Sequence, residues 1–260
     1  MPERHQPSPE EIGFHKEESY EGRRQTLKVR ILNWLADLGP MVDRISEKRA
    51  EDVIEKSKVR EYLKDGGVYL DIGTGIGHIV EHLVREDDKK DVKFLALDPL
   101  WKPLGRVRER VKTQAEKTGD AEHTLFMKAV GEDLPVKDKS LDGVSLFFVE
   151  HHVPPQYEQQ IFAEVRRVLK DEGMLFFIED TPKDDEAKER NGKWCKRLNF
   201  ESSKEPHFYR SRDEWKAFAK EEGFELVDEV DFSSTGRKSE GTIEHTSFIL
   251  RKKKEVDDEK

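Results

Sequence analysis

The sequence has one cysteine, Cys195, in 260 residues, so no disulfide can form within the chain and a thiolate-based zinc site is not expected. A reducing compartment fits that usage. No apolar run reaches the roughly 18–20 residues of a bilayer-spanning helix, and the first thirty residues lack the apolar centre of a signal peptide. These absences point to a cytoplasmic protein. Basic charge is not in excess either. A formal net charge of −9 argues against a broad nucleic-acid-binding face, because neutralising phosphates takes clustered Lys and Arg. What is present is 34% hydrophobic and 40% charged residues, enough core for one α/β domain with extensions and a surface dense in charge.

Residues 1–64 read as an amino-terminal arm and helices. After a polar stretch to about residue 20, Leu27, Ile31, Trp34, Leu35 and Leu38 share a helical face that Gly39-Pro40 ends. A second helix, 42–63, has only a modest stripe of Val42, Ile45, Val53 and Ile54 and is expected to lean on the domain rather than be buried in it. Residues 65–252 then alternate strand and helix. Strands are expected at 68–71, 92–97, 124–129, 143–149 and 174–178, and amphipathic helices at Ile76–Val84, Leu104–Val111 and Ile161–Leu169. That order implies an α/β fold with a mostly parallel sheet covered on both faces. Residues 181–211 turn polar and irregular, and a loop that long usually has a function. A helix holding Trp215, Phe218 and Ala219, strands at 224–230 and 246–250, and a charged tail at 253–260 follow.

The chemistry centres on Gly73, Gly75 and Gly77, between the strand ending at Asp71 and a helix starting near Ile76. Alternating glycines let the backbone turn sharply and approach a ligand, and a helix start offers amide donors. Dinucleotide binding asks for G-x-G-x-x-G, but the sixth position counted from Gly73 is His78, which disfavours a nicotinamide oxidoreductase. Asp98, about twenty residues on at the end of the next strand, suits two ribose hydroxyls.

The runs VYLDIGTGIGHI, LALDP, GEDLPVKDKSLDGVSLFFVEHHVP and FAEVRRVLKDEGMLFFIED resemble, in order, the core of class I S-adenosylmethionine-dependent methyltransferases, especially the small-molecule group that includes ubiquinone and menaquinone biosynthesis enzymes. The resemblance covers about residues 66–180. It implies a three-layer Rossmann-like sandwich whose seven-stranded sheet has an antiparallel last strand, and S-adenosylmethionine as cofactor. Asp71, Gly73, Thr74, Gly75 and Gly77 resemble the loop that holds the methionine part, Asp98 resembles the ribose acid, and Pro99 and Leu100 would lie near the adenine. The family commonly contacts the adenine amine through an acid where this chain has Val130, leaving Gly131 and Glu132 to do so; Phe147 would face the cofactor.

The fourth strand's end carries Glu150 where relatives have leucine, followed by His151 and His152. Glu150 and His151 are the candidate catalytic residues, as a general base or an anchor for a substrate amine. A metal centre built from Glu150, His151 and His152 is disfavoured, because neighbours on an extended segment point apart. Tyr20, Trp34, Trp194, Phe200, Phe208 and Tyr209 are candidate pocket residues, and Arg197, Arg210 and Arg212 candidate anion binders, under a lid formed by 27–63 and 181–211. The expected reaction is methyl transfer to an O, N or C nucleophile of a small molecule. A protein or RNA methyltransferase is an alternative, although the Asn-Pro-Pro-Tyr type signature is absent after strand four; a non-catalytic scaffold is another, which Val130 encourages.

Overall fold

A computed structural model describes residues 40–75, 77–85, 92–99, 108, 124–198, 206–235 and 242–254. The expected helix at 27–38, that at 104–111 apart from residue 108, the pocket candidates Tyr20, Trp34 and Phe200, and the adenine candidate Leu100 therefore lie outside the described residues.

Seven strands form one sheet: β1 (Val68–Ile72), β2 (Lys93–Leu97), β3 (Thr124–Met127), β4 (Leu141–Phe147), β5 (Leu169–Asp180), β6 (Phe224–Thr235) and β7 (Thr242–Lys252), in the order β3-β2-β1-β4-β5-β7-β6. The first five pair in parallel, and β7 runs antiparallel to both β5 and β6. The expected Rossmann-like architecture with its antiparallel last strand is present. Along β1 and β5 the side chains alternate between two cores. Leu70, Ile72, Leu175 and Phe177 enter one with helices α3 (Pro155–Val168) and α5 (Arg212–Glu221), and Tyr69, Met174, Phe176 and Ile178 enter the other. Burial on both faces is why these strands read as nearly continuous apolar runs.

The second core holds a correction. Helix α1 (Pro40–Ser57) does not merely lean on the domain, since Ala50, Val53 and Ile54 are buried. The left-handed backbone of Lys58 (φ 60°) ends α1 and turns the chain into a short 3₁₀ helix, Val59–Tyr62, with Val59 and Leu63 also buried. These side chains pack with Val80 and Leu83 of α2 (His78–Arg85) and with Ile249 of β7. The buried Ser247 hydroxyl donates to the Ser57 carbonyl (2.9 Å), and Tyr62 donates to Asp228 (3.1 Å), pinning the segment to β6 and β7. A narrow stripe suffices because small and β-branched residues fit closely against a sheet.

The 181–211 region is the second correction. It contains a helix, α4 (Asp185–Leu198), not only irregular chain. Its buried side chains Ala187, Asn191, Trp194 and Cys195 recur at intervals of four, three and one residues, a helical face on which only Trp194 is large and apolar. The weak apolar signal hid the period. Strand β4 is also shorter than expected at its carboxyl end, because Phe148 takes a left-handed conformation (φ 60°) that turns the chain out of the sheet after Phe147.

Candidate functional site

The glycine loop leaves β1 at the point where the sheet order reverses, with β2 on one side and β4 on the other, the crevice in which open α/β sheets bind ligands. Gly73, Gly75 and Gly77 have φ of +73°, +54° and +75°, a backbone that side chains disfavour. Gly73 and Thr74 donate their amides to the Leu97 carbonyl (2.8 and 3.0 Å), which draws the loop across the end of β2. A Cβ on Gly73 would lie 2.6 Å from Val149 Cγ2, whereas one on Gly75 would meet nothing among the described residues nearer than the Gly73 carbonyl at 3.9 Å. Gly73 is therefore fixed by packing, and Gly75 borders space open among the described residues.

Two acids brace this loop. Asp71 is buried and accepts from the Ser145 hydroxyl (2.6 Å) and the Thr74 hydroxyl. Burial, partly offset by those two hydrogen bonds, pushes its carboxyl up to about 6. Asp98 is buried at the end of β2 and accepts the Gly75 amide on Oδ2 at 2.8 Å. Thus the loop and the candidate ribose acid are one hydrogen-bonded unit. Pro99 beside it is exposed.

On the adenine side, Val130 is half-buried and bridges to Asp133. Gly131 is wedged between β1 and α3, since a Cβ there would sit 3.2 Å from Ile161 and 3.3 Å from Ile72. The following turn is clamped from α3. Glu164 accepts the Leu134 amide (2.7 Å), and Arg167 donates to the Leu134 and Val136 carbonyls (2.9 and 2.7 Å). This clamp holds Val130, Gly131 and Glu132 at the sheet's carboxyl edge. Phe147 packs into the second core beside Phe176 and Ile178.

Beyond β4, Glu150–His152 is a 3₁₀ turn rather than an extended segment. The expectation that the two histidines point apart is therefore wrong: their ring centroids are 4.1 Å apart. His151 Nδ1 lies 2.6 Å from Glu179 Oε2, and its Nε2 lies 3.4 Å from Cys195 Sγ. His152 Nε2 lies 3.7 Å from the same sulfur. Glu179, at the end of β5, also accepts the Glu150 amide on Oε1 (2.7 Å), so β5 positions the whole turn. Burial raises the Glu179 carboxyl well above the usual carboxylate range. Glu150 is fully buried, and among the described residues neither of its carboxyl oxygens has a hydrogen-bond partner. Burial first, then the nearby Glu179 and Glu158 charges, raise its pKa well above the usual carboxylate range.

A cleft of about 740 Å³ adjoins this cluster, lined from α4 by Gly192 and Lys193, from α3 by Glu158, and by His207, Tyr209 and Arg210. Its size suits a small organic ligand. Tyr209 stacks on His151 with ring centroids 5.2 Å apart, and the Phe208 amide donates to the His151 carbonyl (2.8 Å). Cleft and glycine loop thus share the 148–152 turn, with Val149 against Gly73 and His151 against Tyr209. Trp194 is buried, a packing residue of α4, whereas Phe208 and Tyr209 line the cleft. Arg210 forms a two-pronged pair with the buried Glu158 (2.7 and 2.6 Å) and lies over the Trp215 ring, and Arg212 pairs with Glu229 and Asp231. Both arginines are committed to carboxylates of this chain. The Arg197 side chain lies outside the described residues.

The sequence reading missed Cys195, Glu179 and His207. Glu179 had a signal, since an acid pair ends the strand beside β4 on the sheet's functional edge. Cys195 and His207 had none, because their distance in sequence from His151 hides their proximity.

Residues 70–177 match the family model described as a methyltransferase domain. Over 116 residues the chain is 32% identical to a ubiquinone/menaquinone biosynthesis C-methyltransferase of Brucella anthropi, covering 45% of this chain and 41% of that protein. The chain spans about half, or less, of the length of the curated relatives it matches. Among solved structures it is similar to a SAM-dependent methyltransferase of Methanosarcina mazei (TM-score 0.62, 17% identity, 76% of this chain and 97% of that one). It is also similar in fold to a Haemonchus contortus phosphoethanolamine N-methyltransferase crystallised with S-adenosylhomocysteine (TM-score 0.57, 14% identity, 78% of this chain and 53% of that one).

Proposed function

We propose that the chain is a class I S-adenosylmethionine-dependent methyltransferase that transfers a methyl group to an O, N or C nucleophile of a small-molecule acceptor held in the cleft beside His207 and Tyr209. The observation that carries this reading is the glycine loop, whose open side at Gly75 is tied through its amide to Asp98. That cradle fits the cofactor: the left-handed turn through Gly73 and Gly77 presents Gly75, where the methionine part can approach the backbone closely, and Asp98 offers a carboxylate to the ribose. When bound, S-adenosylmethionine supplies a methyl group already activated by its sulfonium. The protein's part is to align an acceptor and exclude water, which is why no catalytic triad is needed.

The 148–152 turn lies between loop and cleft, and this supports Glu150 and His151 as the groups acting on the acceptor. Their roles differ. Both His151 nitrogens face partners, Glu179 and Cys195, so His151 positions. Among the described residues the two Glu150 carboxyl oxygens have no hydrogen-bond partner, which makes them the candidates to accept a proton from the acceptor. Residues 181–211, through α4 and the 206–210 segment, serve as the cleft's cover.

The test is release of S-adenosylhomocysteine from labelled methyl donor across acceptors bearing hydroxyl, amine or activated carbon centres. With an acceptor in hand, Glu150→Gln is expected to lower kcat about 10²-fold or more for an acceptor that must lose a proton. Normal turnover by both Glu150→Gln and His151→Ala would remove these residues from the mechanism.

A further inference from the structure

We propose that His151, His152 and Cys195 form a binding site for a divalent zinc-like ion, held in place by Glu179. The three potential ligand atoms lie within 4.8 Å of one another. They come from two elements, the turn after β4 and helix α4, that the Phe208 amide and the stacked Tyr209 ring help fix together.

The distances, which are within reach of hydrogen bonds to sulfur, also match those between two ligands of one metal ion. Zn–S near 2.3 Å and Zn–N near 2.0–2.1 Å at a tetrahedral angle place sulfur and nitrogen about 3.5–3.6 Å apart. The observed Cys195 Sγ separations are 3.4 Å to His151 Nε2 and 3.7 Å to His152 Nε2. Both Nε2 atoms converging on one sulfur is the arrangement that a shared ion rationalises. Behind His151, Glu179 Oε2 is 2.6 Å from Nδ1 and is buried. With Nδ1–H donating to Glu179, the Nε2 lone pair would point forward to an ion, and a carboxyl group in that place is the usual outer partner of a metal-bound histidine.

Cysteine with two imidazoles is a donor set of intermediate softness that suits zinc and cobalt(II) over magnesium or calcium. Three protein ligands leave a fourth position for water or for an acceptor hydroxyl or thiol, whose pKa the ion would lower. The cluster shares His207 and Tyr209 with the cleft, as both pack on His151 and line that wall. Binding of the ion does not rest on the methyl-transfer reading.

The experiment uses the full chain, stripped with chelator and titrated with cobalt(II) and then zinc. We expect about one ion per chain, a thiolate-to-cobalt charge-transfer band with the visible bands of tetrahedral cobalt, and displacement of both by zinc. Cys195→Ser should abolish the charge-transfer band, His152→Ala should weaken binding, and Glu179→Gln should lower affinity about 10–100-fold. Circular dichroism and S-adenosylhomocysteine calorimetry run alongside, so loss of folding or of cofactor binding is read separately. A folded wild-type chain with no stoichiometric ion and no charge-transfer band would overturn the proposal, as would an unchanged band in Cys195→Ser. Unchanged affinity in Glu179→Gln would remove Glu179 from it.

Discussion

Alanine at Gly73 and at Gly75 should separate what the loop does for folding from what it does for binding. Both glycines are left-handed, at φ +73° and +54°, so either alanine costs roughly 1–2 kcal/mol of backbone strain, less about 0.4–1 kcal/mol regained from a stiffer unfolded chain. At Gly75 the new methyl meets nothing among the described residues closer than 3.9 Å, and the net loss stays near ~1 kcal/mol. At Gly73 the methyl falls 2.6 Å from Val149 Cγ2, and relieving that overlap adds about 1–3 kcal/mol, for a total of roughly 2–4 kcal/mol. Binding should invert the order of interest. The Gly75 methyl projects into the cradle, so Gly75→Ala should lose at least about tenfold in S-adenosylhomocysteine affinity, or ~1.4 kcal/mol, while remaining well folded. Urea unfolding gives the first quantity and titration calorimetry the second. Equal destabilisation by the two alanines, or undiminished binding by Gly75→Ala, would refute the assignment of Gly73 to packing and Gly75 to the ligand.

Three further outcomes follow from the structure. Asp71 rises from the usual 3.8 to about 6 on folding, so the native state holds its proton more tightly; the stability this gives is full below pH 3.8 and is lost as pH rises to about 6, a fall of ~3 kcal/mol that Asp71→Asn should remove from urea midpoints measured across that range. Arg210→Met leaves the buried Glu158 carboxylate without its two-pronged partner and should cost about 3–5 kcal/mol, whereas Arg210→Met with Glu158→Gln should recover much of it; equal losses in single and double variants would contradict the pairing. Glu150→Leu replaces a buried carboxyl whose oxygens lack partners among the described residues, and should leave thermal stability unchanged or higher while abolishing turnover of an acceptor that must lose a proton.

Much of the fold was legible because its determinants are local. Apolar runs, turn residues and the glycine loop marked β1 to β5 and the order that makes a parallel sheet. Features that depend on contacts distant in sequence were not. The α1 stripe looked too thin to be buried until Ile249 and Ser247 of β7 supplied its partner surface. Helix α4 buries Asn191 and Cys195 rather than leucines, so hydropathy alone gave no period. The candidate site divides in the same way. Gly73, Gly75 and Asp98 are spaced by the β-α unit and stand out in the sequence, whereas the convergence of His151, His152, Glu179 and Cys195 depends on Phe148 turning the chain out of the sheet toward Cys195, more than forty residues away. That left-handed turn has no glycine to announce it.

If the loop at Gly73–Gly77, with Asp98, is a site for S-adenosylmethionine, titration calorimetry of the 260-residue chain will show saturable binding of one S-adenosylhomocysteine per chain, weakened by Asp98→Ala and by Gly75→Ala, and no binding of NADH. A folded chain that binds NADH instead, or that binds neither ligand, would contradict it.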